Sequence, residues 1–139
     1  YFKKYEGVKR FINKTIKKTQ EIGYVTTLLN RRRYIPEINN SNERLRNFSE
    51  RTAINTPVQG SAADLIKLAM IECARKFHGT STKMIIQVHD ELVFDVPKSE
   101  VSKIVKQVRE IMENVVALKV PLKVDIEVGR NWLEMEPVL

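Results

Sequence analysis

Two short apolar runs, residues 84–88 and 92–96, flank the triplet His89-Asp90-Glu91. Both runs are rich in β-branched and aromatic side chains, which favour strands over helices. Strands separated by so few residues require a tight turn. The segment therefore predicts a β-hairpin with a charged apex, and this hairpin restricts the fold more than any other feature of the chain.

Most of the remaining pattern is helical. Apolar residues recur at near-helical spacing in residues 1–22, and Gly23 is placed to end that helix. Residues 43–77 also follow a helical pattern. Residues 99–116 carry one apolar stripe, which predicts an amphipathic helix with a single buried face.

The long helix predicted at 43–77 contains two helix-weakening residues. Pro57 lacks a backbone donor and Gly60 is a poor helix former, so we expect a kink or a break between them. Beyond that point, residues 61–77 carry apolar side chains around most of the helix circumference. This distribution predicts that the second part of the helix is largely buried.

Two further regions predict strands. Residues 24–29 and 34–38 flank the basic stretch Asn30-Arg31-Arg32-Arg33, which indicates a short hairpin with a basic tip. A final strand is predicted to open at Pro121, because three apolar residues alternate there with charged ones: Val124, Ile126 and Val128. The chain is therefore predicted to be an α+β protein with helices packed on a small antiparallel sheet.

The composition excludes several classes of protein. The apolar runs are far shorter than the roughly 20 residues that span a bilayer, and no secretory signal is recognisable. Cys73 is the only cysteine, which excludes a disulfide within the chain and suits a reducing compartment. The chain begins at Tyr1 without a methionine, so we expect it to be part of something longer.

The net charge of +7 is unevenly distributed along the chain. Residues 1–60 contain 13 Lys and Arg against 5 Asp and Glu, whereas residues 61–139 contain 11 against 12. A basic half joined to a near-neutral half suggests a surface that meets a polyanion. A basic surface that only keeps the protein soluble is an equally acceptable interpretation of the charge by itself.

Asp90 and Glu91 are the strongest candidates for chemistry. Adjacent acids are usually solvated surface charges, but a hairpin apex would hold these two close together on a rigid support. Such carboxylates repel each other unless a cation neutralises them, and their oxygens suit Mg²⁺. Two metal ions can then support an in-line phosphoryl transfer. His89 is an unusual ligand for Mg²⁺, and a donor to a phosphate or sugar oxygen is its better functional interpretation.

Arg51, Asn55 and Gln59 recur every four residues, which places them on one face if the segment is helical. Such donors can contact minor-groove acceptors, which depend little on sequence and would therefore report duplex shape. An ordinary polar helix face is the alternative. The three adjacent arginines of the basic tip, Arg31, Arg32 and Arg33, are candidates for phosphate contacts or are simply solvated.

Three segments resemble motifs of the family A (DNA polymerase I type) DNA polymerases. The sequence QVHDELV at 87–93 resembles the third polymerase motif, and RTAINTPVQGSAAD at 51–64 resembles the segment that precedes it. The sequences GYVTTL at 23–28 and RRRYIP at 31–36 resemble the fingers hairpin. All three occur in the family's order, and the resemblance extends to Trp132.

The resemblance implies template-directed addition of deoxynucleotides to a primer 3′-OH with two Mg²⁺ ions. Asp90 would be a metal ligand, Glu91 a neighbour with a lesser or indirect metal role, and His89 would lie near the primer terminus. Arg51, Asn55 and Gln59 would face primer–template DNA and the nascent base pair. The implied partners are primer–template DNA, deoxynucleoside triphosphates and the remainder of the polymerase chain, in the bacterial cytoplasm (nucleoid) or an organelle and without a membrane.

In this interpretation residues 1–40 are the end of the fingers and residues 41–139 are the C-terminal portion of the palm. The first palm motif, with the other metal-binding aspartate, has no match in the chain. The fingers helix that binds the incoming triphosphate has none either. We therefore expect the isolated chain to be inactive, with its metal site incomplete.

Two hypotheses of other classes stay open at the level of sequence. A non-catalytic duplex-DNA-binding module would keep the basic face and perform no chemistry, so its DNA affinity would depend on salt but not on Mg²⁺. A regulatory α+β domain would expose the acidic turn and bind no nucleic acid, even at low salt.

Overall fold

The computed structural model describes residues 3–138, so the parts of the predictions that fall on Tyr1, Phe2 and Leu139 lie outside the described residues. The described chain forms three α-helices and a short 3₁₀ helix: α1 (Glu6–Ile22), the 3₁₀ helix (Pro36–Asn39), α2 (Glu43–Phe77) and α3 (Val101–Glu113). Six short strands form three antiparallel pairs: β1 (Tyr24–Thr26) with β2 (Arg32–Tyr34), β3 (Lys83–Val88) with β4 (Glu91–Asp95), and β5 (Glu127–Gly129) with β6 (Met135–Pro137). The predicted α+β class is confirmed. No helix among residues 3–138 is long and apolar enough to cross a membrane.

The chain divides into two compact units, one ending at Asp64 and the other beginning at Leu65, and α2 contributes to both. In the first unit, α1 ends at Gly23, which adopts a left-handed conformation (φ 76°) and donates its N–H to Thr19 O at 2.8 Å. Glycine adopts this conformation without steric cost, so the predicted helix end is realised there. A small apolar core lies between the hairpin, the 3₁₀ helix and α2: Val25, Ile35, Ile38 and Ala53.

Helix α2 starts at an asparagine cap and continues through Pro57. The Oδ1 atom of Asn42 accepts the backbone N–H groups of Arg44 (3.0 Å) and Leu45 (3.4 Å), as expected for a helix N-cap. The helix is unbroken over 35 residues with Pro57 in its interior, so the break is excluded. Proline removes one hydrogen bond from the helix there, and this turn depends on other contacts for its stability.

The prediction that residues 61–77 are largely buried is wrong. In the second unit, the fully buried residues of this helix form one stripe with four-residue spacing, at Ala69, Cys73 and Phe77. Ile71 is 45% exposed on another face of the same helix. Cys73 and Phe77 pack with Ile104 and Val108 of α3 in a core flanked by four half-buried side chains: Phe94, Val96, Ile111 and Met112.

The C-terminal strand is shorter than predicted. Pairing begins only at Glu127 rather than near Pro121, and the partner β6 was not predicted. Alternating burial nevertheless extends upstream, since Val124 and Ile126 are half-buried and the residues between them are exposed. Alternation of apolar and charged side chains shows which face of an extended segment is buried. A strand also needs a hydrogen-bonded backbone partner, and the partner here, β6, is three residues long.

Candidate functional site

The acid pair lies at the apex of the β3–β4 hairpin. The predicted hairpin is present, but Val88 pairs with Glu91, so the turn consists of His89 and Asp90 and the third residue of the predicted apex, Glu91, begins β4. His89 has a positive φ of 52°, which is uncommon for a residue other than glycine. The Nε2 group of Gln87 donates to His89 O at 2.7 Å and fixes the turn from one side.

The base of this hairpin is anchored to the core of the second unit. Phe94 on β4 packs against Phe77 on α2 with ring centroids 6.0 Å apart and planes at 81°, an edge-to-face pair. The register shifts between Met84 and Ile86, which leaves Ile85 as an unpaired extra residue on β3. A rigid base and a tight turn together define where the apex carboxylates are displayed.

The side chains of His89, Asp90 and Glu91 are all exposed. None of them has a hydrogen bond or an ion pair within residues 3–138. Two carboxylates without internal cations are free to bind an external one, and their hard oxygens match Mg²⁺. No group of three or more His, Cys, Asp or Glu side chains able to hold a metal occurs in the described part of the chain. The hairpin apex therefore displays two carboxylates that could hold a cation, and the described residues around it do not form a closed cage.

The polar triad predicted on α2 belongs to the first unit. Because the helix is continuous, Arg51, Asn55 and Gln59 do share one face. All three are exposed, and their side chains form no hydrogen bond or ion pair with any described residue. This face is a row of unpaired donors four residues apart, which suits contact with an external partner.

The predicted basic tip is shifted in the structure, since the connection is residues 27–31 and Arg32 and Arg33 lie in β2. The three arginines differ in their contacts. The guanidinium of Arg31 pairs with Asp64 Oδ1 at 2.7 Å and also donates to Gly60 O at 3.0 Å. Arg32 lies over the ring of Tyr24, 4.8 Å from its centroid, and Arg33 donates to Thr56 Oγ1 at 3.3 Å. Each arginine therefore has an internal contact in addition to any external role.

The partner of Arg31 was missed at the level of sequence. Asp64 is only 7% exposed, although it belongs to a mostly apolar stretch of α2. An acid in such a stretch, four residues after Gly60, is a signal that could have identified it, because buried carboxylates require partners.

Cys73 is the one cysteine and has no features of a nucleophile. Burial, and to a lesser extent the negative charge of Glu72, raises the pKa of its thiol to about 11. The thiol is neutral at physiological pH, and this excludes Cys73 from nucleophilic chemistry in the folded protein.

Comparison with known proteins gives consistent matches over nearly the whole chain. The family model described as DNA polymerase family A matches residues 1–134. DNA polymerase I of Bacillus subtilis is 48% identical over 136 residues, and that of Geobacillus stearothermophilus is 46% identical over the same length. Each alignment covers 96% of this chain but 16% of the relative, so the chain spans about one sixth of the length of the curated relatives it matches.

A solved structure gives the same result for the fold. The structure titled "POL domain of Pol1 from M. smegmatis complex with DNA primer-template and dNTP" matches with a TM-score of 0.89 and 43% sequence identity. It covers 95% of this chain and 24% of that one.

Proposed function

Because the chain belongs to DNA polymerase family A, we propose that it forms part of a DNA-directed DNA polymerase that extends a primer 3′-OH. In this proposal residues 1–40 are the end of the fingers and residues 41–139 the C-terminal portion of the palm. The observation that carries the proposal is the pair of exposed acids at the apex of an anchored hairpin, Asp90 in the turn and Glu91 at the start of β4.

The donor set at this turn fits Mg²⁺. Asp90 would be a direct ligand, and Glu91, at the first position of β4, would have a lesser or indirect role. When bound, Mg²⁺ supplies activation of the attacking oxygen and stabilisation of the leaving one. The two carboxylates of this chain hold negative charge at a fixed point, and a further carboxylate from the remainder of the polymerase would complete the site.

The other exposed donors are assigned to nucleic acid. The imidazole of His89, held at the same turn, would donate to an oxygen near the primer terminus. Arg51, Asn55 and Gln59 would contact primer–template DNA in the minor groove, where acceptors are nearly independent of sequence. Arg32 and Arg33 would add positive charge along the DNA backbone, whereas the Arg31 guanidinium donates to Asp64 and Gly60 within the chain. The incoming deoxynucleoside triphosphate would be bound mainly by the remainder of the polymerase chain.

Exposed apolar side chains support a larger assembly. Leu133 is 94% exposed, Val120 72% and Phe48 62%. Single exposed apolar side chains are common on protein surfaces, but removing them from water is favourable. We assign its cover to the remainder of the polymerase chain, and we expect the isolated 139-residue chain not to extend a primer.

The proposal is tested with the intact polymerase that contains this chain. We expect Asp90→Ala to lower primer extension in Mg²⁺ by more than about a hundredfold, since losing even a hydrogen-bond partner of a metal ligand costs about 10- to 100-fold. Asp95→Ala is the matched control, because Asp95 is an exposed acid at the other end of β4 and should extend normally. Near-normal extension by Asp90→Ala would contradict the site assignment.

The same experiment addresses the rival class. A non-catalytic duplex-binding module would bind primer–template DNA with strong salt dependence while the Asp90→Ala variant and Mg²⁺ removal changed nothing. Family membership favours the polymerase over this alternative and over a regulatory domain that binds no nucleic acid.

A further inference from the structure

The loop between β1 and β2 is fixed to one turn of α2 by polar contacts. This 27–31 loop places the Arg31 guanidinium against two sites on the helix, Asp64 Oδ1 at 2.7 Å and Gly60 O at 3.0 Å. At the other end of the loop, the backbone N–H of Leu28 donates to Ser61 Oγ at 2.8 Å. The contacts join residues about 30 positions apart in sequence, so they are tertiary contacts.

The Arg31–Asp64 pair is asymmetric in its exposure. The Asp64 side chain is 8% exposed, whereas that of Arg31 is 50% exposed. A buried carboxylate is costly to leave without a cation, while a half-exposed guanidinium can return to water. Asp64 therefore depends on Arg31 more than Arg31 depends on Asp64.

Gly60 provides the close approach that this pairing needs. A Cβ atom at this position would lie 2.7 Å from Thr27 Cγ2 and 3.5 Å from an Arg31 guanidinium nitrogen. Thr27 is itself only 4% exposed and is hydrogen-bonded to Arg31, so it has little room to withdraw. The loop thus packs directly on the helix backbone, three residues after Pro57.

The loop contacts and the polar triad lie on different sides of α2. The loop contacts Gly60, Ser61 and Asp64 on the helix, whereas the triad is Arg51, Asn55 and Gln59. At 100° per residue the three contacted positions lie about 120° to 180° around the helix axis from Asn55, the centre of the triad. The loop therefore supports the helix from behind the triad and does not touch it.

We propose that the Arg31–Asp64 pair is a positioning element for the triad. By holding the Pro57 turn, where the helix lacks one backbone hydrogen bond, it fixes the direction in which Asn55 and Gln59 face the primer–template duplex. The inference rests on the proposed polymerase function. It assigns Arg31 a role through α2, in place of the direct phosphate contact expected from sequence.

Arg31→Ala and Asp64→Ala in the intact polymerase distinguish these two roles. A positioning pair predicts that both variants lower kcat/KM for primer extension, with Arg31→Ala the more impaired at about tenfold because it removes the cation from the buried Asp64 carboxylate, and that the double variant is no worse than Arg31→Ala. A direct phosphate contact predicts that only Arg31→Ala is impaired, with a lower salt dependence of DNA binding, because the acidic Asp64 cannot bind phosphate. That result would overturn the proposal.

Coupling to the triad gives a readout that general destabilisation does not change. If the pair positions Gln59, combining Arg31→Ala with Gln59→Ala should cost at least about threefold less than the product of the single losses. Arg75→Ala is the matched control, since Arg75 forms an exposed pair with Glu72 at the same 2.7 Å distance elsewhere on α2. Arg75→Ala should have a small effect, and its loss of kcat/KM should multiply with that of Gln59→Ala because the two sites are independent. If the losses of Arg31→Ala and Gln59→Ala also simply multiply, the proposal is overturned.

Gly60→Ala separates positioning from helix stability. Alanine favours helix over glycine by about 1 kcal/mol, or roughly fivefold in the local helix equilibrium, so helix propensity predicts unchanged or improved extension. The proposal predicts a loss similar to that of Arg31→Ala, together with faster amide exchange at residues 58–62 in both variants. Unchanged exchange would overturn the proposal. If exchange is faster but Gln59→Ala itself extends normally, the pair still holds the helix, and the proposed duplex-contact role of the triad has failed.

Discussion

At the scale of single residues, the backbone geometry of two turns was not evident from sequence. Asn30 (φ 62°) and His89 (φ 52°) are the non-glycine residues with positive φ in the described chain, and both lie in hairpin connections. Asparagine and histidine are enriched in this region, and β-branched residues are strongly disfavoured. Glycine would adopt this backbone conformation more easily, but histidine at position 89 adds an imidazole ring next to Asp90 in the turn.

Cys73 provides a prediction about pH. A pKa raised to about 11 means that the buried thiol stays neutral while the unfolded one ionises near 9. The contribution of the neutral thiol to the free energy of unfolding, about 3 kcal/mol, is therefore fully present below pH 9 and is lost as the pH rises through 11. At pH 8 we expect the native chain to react with a thiol reagent at least about a hundredfold more slowly than the denatured chain. Equal reaction rates for the native and denatured chains would contradict a raised pKa. The Cys73→Ala variant should lose less stability than the parent chain as the pH rises from 9 to 11.

At the scale of elements, the position of the acid pair depends on packing far from the turn. The β3–β4 hairpin has few internal contacts at its apex, and its base is held by Phe94 against Phe77 and the α3 side chains. The hairpin as an element follows from its two apolar runs. The packing of the hairpin against α2 does not follow from these runs. The strand pattern is the same whether the aromatic side chain at position 94 is buried or exposed.

This anchoring predicts the effect of a core truncation. Phe77→Ala should lower the free energy of unfolding of the chain by about 3–5 kcal/mol, because it removes a buried ring and leaves a cavity beside α3. Ile71→Ala on the same helix is the control, with an expected loss of about 1 kcal/mol or less at a half-exposed position. Urea denaturation measures both, and losses of equal size would show that the α2 stripe is not the core of this unit.

At the scale of the whole chain, the excess of positive charge lies in residues 1–60, which include the hairpin arginines and the α2 triad. The near-neutral remainder carries the acid pair. The acid pair therefore lies in the half of the sequence in which acidic and basic side chains nearly balance. The proposed polymerase role is consistent with that distribution.

The charge distribution gives a prediction for the isolated chain. We expect it to bind primer–template DNA with an affinity that falls at least about tenfold between 50 and 200 mM salt, because basic side chains release counterions from the phosphates. Arg51→Ala should reduce the slope of log affinity against log salt by up to about one. Binding that does not depend on salt would contradict the assignment of this surface to DNA, and added Mg²⁺ should not produce extension.

The sequence by itself determined the local elements and the family. Periodicity located α1, α2 and α3, Gly23 marked the end of α1, and the runs around His89-Asp90-Glu91 specified the hairpin, since each depends on residues close together in the chain. Only the tertiary structure decided which surfaces are covered. It paired Arg31 with Asp64, exposed Ile71 on a helix that is apolar on most sides, and gave β5 a short partner. Those outcomes depend on which distant segments meet, and a pattern of neighbouring residues carries no information about them.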